Sequence, residues 1–214
     1  MTDITSATTS ATTGGTTAGS GGVEPRAGLD RAVALAGTVL AAVRPGQLGD
    51  PTPCPDYTVR QLADHMIAVL RRVAATGRGG DPRGLPGLAE GVTDEGRTAV
   101  WADAAREALA AWSDPAVLDR PLQAPHAVLP GAAVAPVYTA ELTVHTWDLA
   151  TATGQRPDWD PEVLGTLLAA RDRVMPADRR GGPVPFGPVV DVPAEAPAAD
   201  RLAAWYGRRP AGAR

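Results

Sequence analysis

The sequence contains no lysine, so all 20 of its basic residues are arginines. This absence removes lysine from the possible nucleophiles and Schiff-base formers of an active site. A single cysteine, Cys54, excludes a disulfide within the chain and a multi-cysteine zinc site. No uninterrupted apolar run approaches the about 20 residues that a membrane span needs. Any chemistry is therefore expected from histidines, carboxylates and arginines.

Composition and charge place the chain among ordinary globular proteins. Its 214 residues are enough for one domain with a full core, and 44% of them are hydrophobic while 21% are charged. The formal net charge of −4 offers nothing that attracts nucleic acid or an anionic membrane surface. We expect a protein that binds neither nucleic acid nor membrane.

The first residues differ in composition from the rest. They are rich in threonine, serine, alanine and glycine and carry few charges. Such a segment cannot bury enough apolar surface to offset its ordering entropy, which predicts a disordered tail over 1–24 and a folded domain over 25–210. The tail lacks the basic start and apolar stretch of a secretory signal, so we expect a cytoplasmic protein.

Apolar periodicity predicts an all-α fold. Residues repeat with helical spacing in six segments, whereas no long stretch alternates as a β-strand does. Four long amphipathic helices favour a four-helix bundle with additional short C-terminal helices. Segment 121–136 is predicted to be a short irregular or extended crossing. The helices are expected near 28–43, 59–73, 93–112, 136–153, 160–174 and 198–206.

Several residues indicate where helices begin and end. Thr58 and Gln61 have the spacing of a capping box before the second helix. Pro136 suits the first turn of the fourth helix, and Gly154 suits the position just after it. Asp160 is the expected N-cap of the fifth helix.

One pair of polar residues in the fourth helix indicates a metal site. Glu141 and His145 are four residues apart, so both side chains leave the same helix face. His65 lies among apolar residues of the second helix, so inside a bundle its side chain can face Glu141 and His145. Two imidazoles and a carboxylate bind zinc, nickel or iron and leave a coordination position open. The alternatives are an exposed i,i+4 pair and a core histidine bonded to protein groups.

Four further residues have more than one interpretation. Asp148 either orients His145 by accepting its second ring N–H or is a solvated charge. His126, in a proline-rich loop, is an alternative ligand, a substrate contact or a solvated side chain. Cys54 is a reactive thiol or an inert buried one. Asp64 points about 100° away from His65 on the helix, which favours a polar-face residue or a hydrogen-bond partner of a ligand over a ligand itself.

Four motifs give the chain its resemblance to a known family. Segments 52–65 (TPCPDYTVRQLADH) and 141–155 (ELTVHTWDLATATGQ) resemble the metal-binding domain of mycothiol-dependent maleylpyruvate isomerase, within the DinB-like superfamily. Segments 185–193 (PFGPVVDVP) and 200–210 (DRLAAWYGRRP) are similar to actinobacterial single-domain members. The resemblance covers roughly residues 28–210.

The resemblance implies a DinB-like four-helix bundle that holds a divalent ion, zinc first, through His65, Glu141 and His145. It also implies mycothiol as cosubstrate. The mycothiol thiol would add to the substrate's double bond and so allow cis–trans rotation about that bond. Related bundles transfer the sulfur of such thiols. The isomerase has a second C-terminal domain that contributes to its active site, whereas only about 60 residues follow Gly154 here. The substrate and the reaction therefore stay open.

These observations favour a metal-dependent isomerase or thiol S-transferase that acts on a small molecule with a low-molecular-weight thiol. The alternative is a non-enzymatic metal-binding or regulatory helical bundle. A monomer or a homodimer is expected in either case.

Overall fold

Six α-helices account for most of the chain that the structure describes. The computed structural model describes residues 22–124, 127–178, 180 and 186–213. The only sheet within these residues is a two-stranded antiparallel hairpin, so the predicted all-α class is confirmed. The elements are α1 (Pro25–Ala41), α2 (Val59–Gly77), α3 (Arg97–Ala111), β1 (Pro121–Gln123), β2 (Val128–Pro130), α4 (Gly131–Thr153), α5 (Pro161–Val174) and α6 (Ala198–Trp205).

The first four helices enclose the larger of two hydrophobic clusters. α1 packs against α3 and α4, and α2 packs against the same two helices. α1 and α3 each bury one face and leave the other in solvent, which explains the helical period of their apolar residues, whereas α2 is buried around most of its circumference from His65 to Leu70. Fully buried members of this cluster include Leu29, Leu62, Met66, Ile67, Leu70, Leu122, Leu142 and Leu149.

α4 is buried on both sides because a second cluster lies behind it. There Val144 and Trp147 pack against Leu164 of α5, Leu202 of α6 and the ring of Phe186. Nearly every residue from 134 to 150 is therefore buried, including all of the polar ones except Glu141. A polar group in such a helix must find a hydrogen-bond partner inside the protein, since unpaired burial is costly.

The predicted helix ends are confirmed at three places. The Thr58 hydroxyl accepts from the backbone N–H of Gln61, and the Gln61 side chain accepts from the backbone N–H of Thr58. Gly154 follows α4 in the left-handed conformation with φ of 70°. The Asp160 carboxylate accepts from the first free N–H groups of α5.

The structure corrects two expectations for the region before α4. Where one irregular or extended crossing was expected, Pro121–Gln123 and Val128–Pro130 are extended but pair with each other as β1 and β2, with Leu122 opposite Leu129. α4 begins at Gly131, so Pro136 lies inside the helix and not in its first turn. Contact with the segment before β1 sets the beginning of α4, because the Gly131 N–H donates to the carbonyl oxygen of Arg120. Proline already has a helical φ, and its place near the N-terminus of the helix costs α4 one hydrogen bond.

Some expectations fall on parts of the chain outside this description. Residues 1–21 of the predicted tail and the loop residue His126 are outside the described residues. In the described part of the predicted tail, the Glu24 carboxylate accepts a hydrogen bond from the N–H of Ala27 and thereby caps α1. None of the helices in the described ranges combines the length and apolar character that crossing a membrane requires.

Gly131→Ala is expected to destabilise the protein by about 1–3 kcal/mol, because the new methyl group meets backbone that cannot rotate away. An ideal Cβ there overlaps the Val117 carbonyl oxygen and lies 3.1 Å from Leu118 Cα. Gly165→Ala is the matched control, since this exposed glycine of α5 has open space around it. It should gain up to about 1 kcal/mol from helix propensity. Urea unfolding measures both changes, and equal stability of the two variants would contradict the expectation.

Candidate metal centre

Three side chains converge between two neighbouring helices, α2 and α4. His65 extends from α2, and Glu141 and His145 extend from successive turns of α4. His65 Nε2 lies 3.4 Å from Glu141 Oε1, and His145 Nε2 lies 3.3 Å from the same oxygen. The imidazole rings meet edge to face with centroids 5.0 Å apart. The structure thus brings together the three residues that the sequence singled out.

The second nitrogen of His65 is bonded to the loop between α2 and α3. Nδ1 lies 2.9 Å from the Gly87 carbonyl oxygen, so it carries the hydrogen and donates. Nε2 then has its lone pair directed toward Glu141. The Tyr57 ring stacks on the imidazole at a centroid distance of 4.9 Å. A backbone acceptor and an aromatic face together hold the orientation of His65.

An arginine two turns along α2 holds this loop in place. The Arg72 guanidinium donates to the carbonyl oxygens of Leu85 and Pro86 at 3.2 and 3.1 Å. These residues come immediately before Gly87. Arg72 therefore stabilises the loop conformation that presents the Gly87 carbonyl to His65.

The second nitrogen of His145 is bonded to a carboxylate. Nδ1 lies 3.1 Å from Asp148 Oδ2, which assigns the hydrogen to Nδ1 and leaves Nε2 facing Glu141. Asp148 is fully buried, and its charge is balanced by Arg208, whose Nε donates to Oδ1 at 2.8 Å and whose Nη2 donates to Oδ2 at 2.9 Å. Asp148 is thus a bonded acceptor for His145 and not a solvated charge.

Electrostatics couple the two residues of α4. Burial opposes a charge on His145, but the carboxylates of Glu141 and Asp148 outweigh it and raise the pKa of His145 to about 9. Burial likewise opposes the charge of Glu141, yet the two imidazoles hold the pKa of Glu141 well below its usual range. At neutral pH His145 therefore carries a proton that a metal ion must displace in order to bind.

The spacing of the three groups fits a metal ion better than a hydrogen bond. Charge-assisted N–H···O bonds are about 2.7–2.9 Å long. Two ligands at about 2.0–2.1 Å from a tetrahedral ion are separated by about 3.3–3.4 Å. The two distances from Glu141 Oε1, 3.4 and 3.3 Å, agree with the second value. All three ligand atoms lie within 4.8 Å of one another.

A second group of possible ligands lies on the other side of His145. Atoms of Cys54, His145 and Asp148 are also within 4.8 Å of one another. Burial raises the pKa of the Cys54 thiol to about 11, so the thiol is protonated at neutral pH. The Asp148 oxygens are already bonded to Arg208. A metal needs a thiolate and a free carboxylate, so this group suits an ion less well.

Several other residues lie near the three candidate ligands, and sequence reasoning considered only Asp64 among them. Asp64 accepts from Arg97 at 3.1 Å and lies outside the ligand group, as its helix position predicts. Sequence patterns did not identify the Gly87 carbonyl, because a backbone acceptor leaves no residue signal. Tyr57 and Arg208 lie inside the quoted motifs, so the motifs contained both residues without indicating what they contact.

The metal-free protein is expected to lose stability as the pH rises from about 6.5 to about 9. The pKa of His145 is raised from 6.5 to about 9 by folding, so its contribution is complete below 6.5 and disappears as the folded group titrates. Urea midpoints measured across this range with a chelator present test the expectation. His145→Gln should abolish the decline and His126→Gln should keep it. A midpoint that rises with pH in the unsubstituted chain would contradict it.

Known proteins are similar to the chain over most of its length. The family model for the mycothiol maleylpyruvate isomerase N-terminal domain matches residues 29–150, which include His65, Glu141 and His145. Two uncharacterised proteins of Mycobacterium tuberculosis, from strains CDC 1551 and H37Rv, are each 34% identical to the chain over 186 residues, covering 87% of it and 98% of each relative. No solved structure matches the chain significantly. The chain belongs to the mycothiol maleylpyruvate isomerase N-terminal domain family.

Proposed function

We propose that His65, Glu141 and His145 hold a divalent ion, with zinc as the first candidate. The observation that carries the proposal is the position of one Glu141 oxygen 3.4 and 3.3 Å from two imidazole Nε2 atoms. Both Nδ1 atoms are bonded elsewhere, so both Nε2 atoms are available as ligands. Three ligands of this kind are typical of catalytic zinc, which keeps a further position for water or substrate.

A small molecule would reach the centre from the side of Glu141. The Glu141 side chain is 25% exposed, whereas those of His65 and His145 are 10% and 5% exposed. The Tyr57 ring covers one face of His65 and keeps water from it. Bound in this position, the ion would lower the pKa of a thiol or a water molecule.

We infer that the thiol is a cosubstrate, with mycothiol as the first candidate. The chain has no lysine, and its one cysteine has a buried, protonated thiol, so it lacks an activated nucleophile of either type. The family is named for a mycothiol-dependent isomerase. The proposed reaction is therefore isomerisation or sulfur transfer on a small molecule. It would take place in the cytoplasm, where such thiols are kept reduced.

His65→Ala and His145→Ala are each expected to weaken zinc binding by more than about 100-fold, since even outer partners of metal ligands contribute 10- to 100-fold. Equilibrium dialysis followed by metal analysis measures the effect, and circular dichroism checks the helical content. Glu95→Ala, which removes an exposed carboxylate outside the ligand group, is the control and should retain one zinc per chain. Stoichiometric zinc in the His65→Ala/His145→Ala double variant would disprove the assignment.

Mycothiol is expected to change the visible absorption of the cobalt-substituted protein, because a thiolate ligand to Co²⁺ adds a charge-transfer band. The control ligand is S-methyl mycothiol, which has the same sugar portion and no free thiol. A band that appears with mycothiol alone supports the thiol-dependent enzyme. No change with either ligand, while metal is bound, would favour the non-enzymatic metal-binding bundle.

A further inference from the structure

A buried ion pair connects the end of the chain to the candidate metal centre. The Asp148 carboxylate is fully buried, and the Arg208 side chain is only 4% exposed. Arg208 Nε donates to Oδ1 and Oδ2 at 2.8 and 3.1 Å, and its Nη2 donates to Oδ2 at 2.9 Å. Oδ2 is also the acceptor of the His145 Nδ1 hydrogen at 3.1 Å. One oxygen is therefore shared by the guanidinium and the imidazole.

The segment after α6 is shaped to bring Arg208 inward. Gly207 ends the helix with φ of 80°, a left-handed conformation that reverses the chain direction. The Arg208 N–H then donates to the carbonyl of Ala203 at 3.0 Å. Its guanidinium lies 5.5 Å from the centroid of the Phe186 ring, which packs edge to face on Tyr206. These contacts leave the guanidinium little freedom to move.

A two-pronged guanidinium restrains its partner more strongly than a single charge does. Two parallel N–H···O bonds set the plane of the Asp148 carboxylate as well as its distance. With that plane restrained, Oδ2 stays opposite His145 Nδ1, and the imidazole keeps Nε2 directed at Glu141. Without Arg208 the buried carboxylate would keep only His145 as a partner, so it would have to move or find another one.

We propose that Arg208 is a positioning residue for His145, so that segment 186–210 forms a working part of the metal centre. The inference rests on the proposed metal site. It goes beyond the family match, because Arg208 lies 58 residues past the matched range of 29–150. The competing explanation is that the ion pair only attaches the C-terminal segment to α4.

The test compares the zinc Kd of the full chain with those of Arg208→Gln and Arg209→Gln, measured by competition with a chromophoric chelator. Arg209 is the exposed neighbour, so its variant removes the same charge without touching Asp148. Arg208→Gln should weaken zinc binding by about 10- to 100-fold, and Arg209→Gln should not. A folded Arg208→Gln variant with unchanged zinc Kd overturns the proposal. If the unsubstituted chain binds no zinc, the metal site itself fails.

Arg208→Lys covers the case in which Arg208→Gln does not fold. Lysine keeps a positive charge beside Asp148 but lacks the two-pronged geometry, so this variant should fold and still bind zinc more weakly. The absorption band of bound Co²⁺ should also shift, because the orientation of His145 changes. If Arg208 only stabilised the fold, neither the zinc Kd nor the cobalt band would change in Arg208→Lys. Unchanged zinc Kd and an unchanged cobalt band in Arg208→Lys overturn the proposal.

A pair of glycine variants tests the same idea without changing any charge. Gly207 and Gly212 both have left-handed backbones, with φ of 80° and 83°, so alanine strains both equally. A Cβ at Gly207 lies 2.8 Å from the backbone of Gly187, whereas a Cβ at Gly212 meets nothing within 4 Å. Only Gly207→Ala should displace Arg208 and weaken zinc binding. Equal zinc affinity of the two variants counts against the proposal.

Discussion

The buried charge of Asp148 is the constraint on which the rest of the centre depends. A carboxylate with no solvent contact is tolerated only when its charge and lone pairs are satisfied within the protein. Arg208 supplies the positive charge, and His145 supplies a further hydrogen bond. Within the part of the chain that the structure describes, no other arginine bonds to Asp148. The carboxylate thus joins α4, the C-terminal segment and the candidate ligand His145.

The burial of α4 on both sides explains why its polar residues are so completely paired. A helix with one solvent-exposed face can direct its charged side chains into solvent, but α4 lies between two hydrophobic clusters. His145 and Asp148 therefore bond to each other and to Arg208. Glu141 keeps a partly exposed side chain, which makes it the accessible member of the centre. α4 supplies both core residues and two candidate metal ligands. The second cluster excludes water from one of its sides.

The two histidines are held by acceptors of different strength. His65 donates to a neutral backbone carbonyl, that of Gly87, whereas His145 donates to the charged carboxylate of Asp148. A carboxylate acceptor makes an imidazole more basic and a stronger metal ligand than a carbonyl does. The charge of Glu141 and the hydrogen bond to Asp148 together raise the pKa of His145. Metal binding and proton release are therefore expected to be coupled mainly through His145.

Local patterns in the sequence determined the six helices, the capping box of Thr58 and Gln61, and the common face of Glu141 and His145. These features depend on hydrogen bonds and spacings within a few residues, so periodicity reports them directly. The apolar pattern around His65 added it to the set, and the family resemblance then implied that the three residues hold a metal ion. Only the tertiary structure decided the β1–β2 hairpin, the start of α4 and the partners of the two imidazoles. The Gly87 carbonyl has no residue signature, and Arg208 lies 60 residues from Asp148 along the chain. Such pairings arise from packing between distant segments, which no local pattern records.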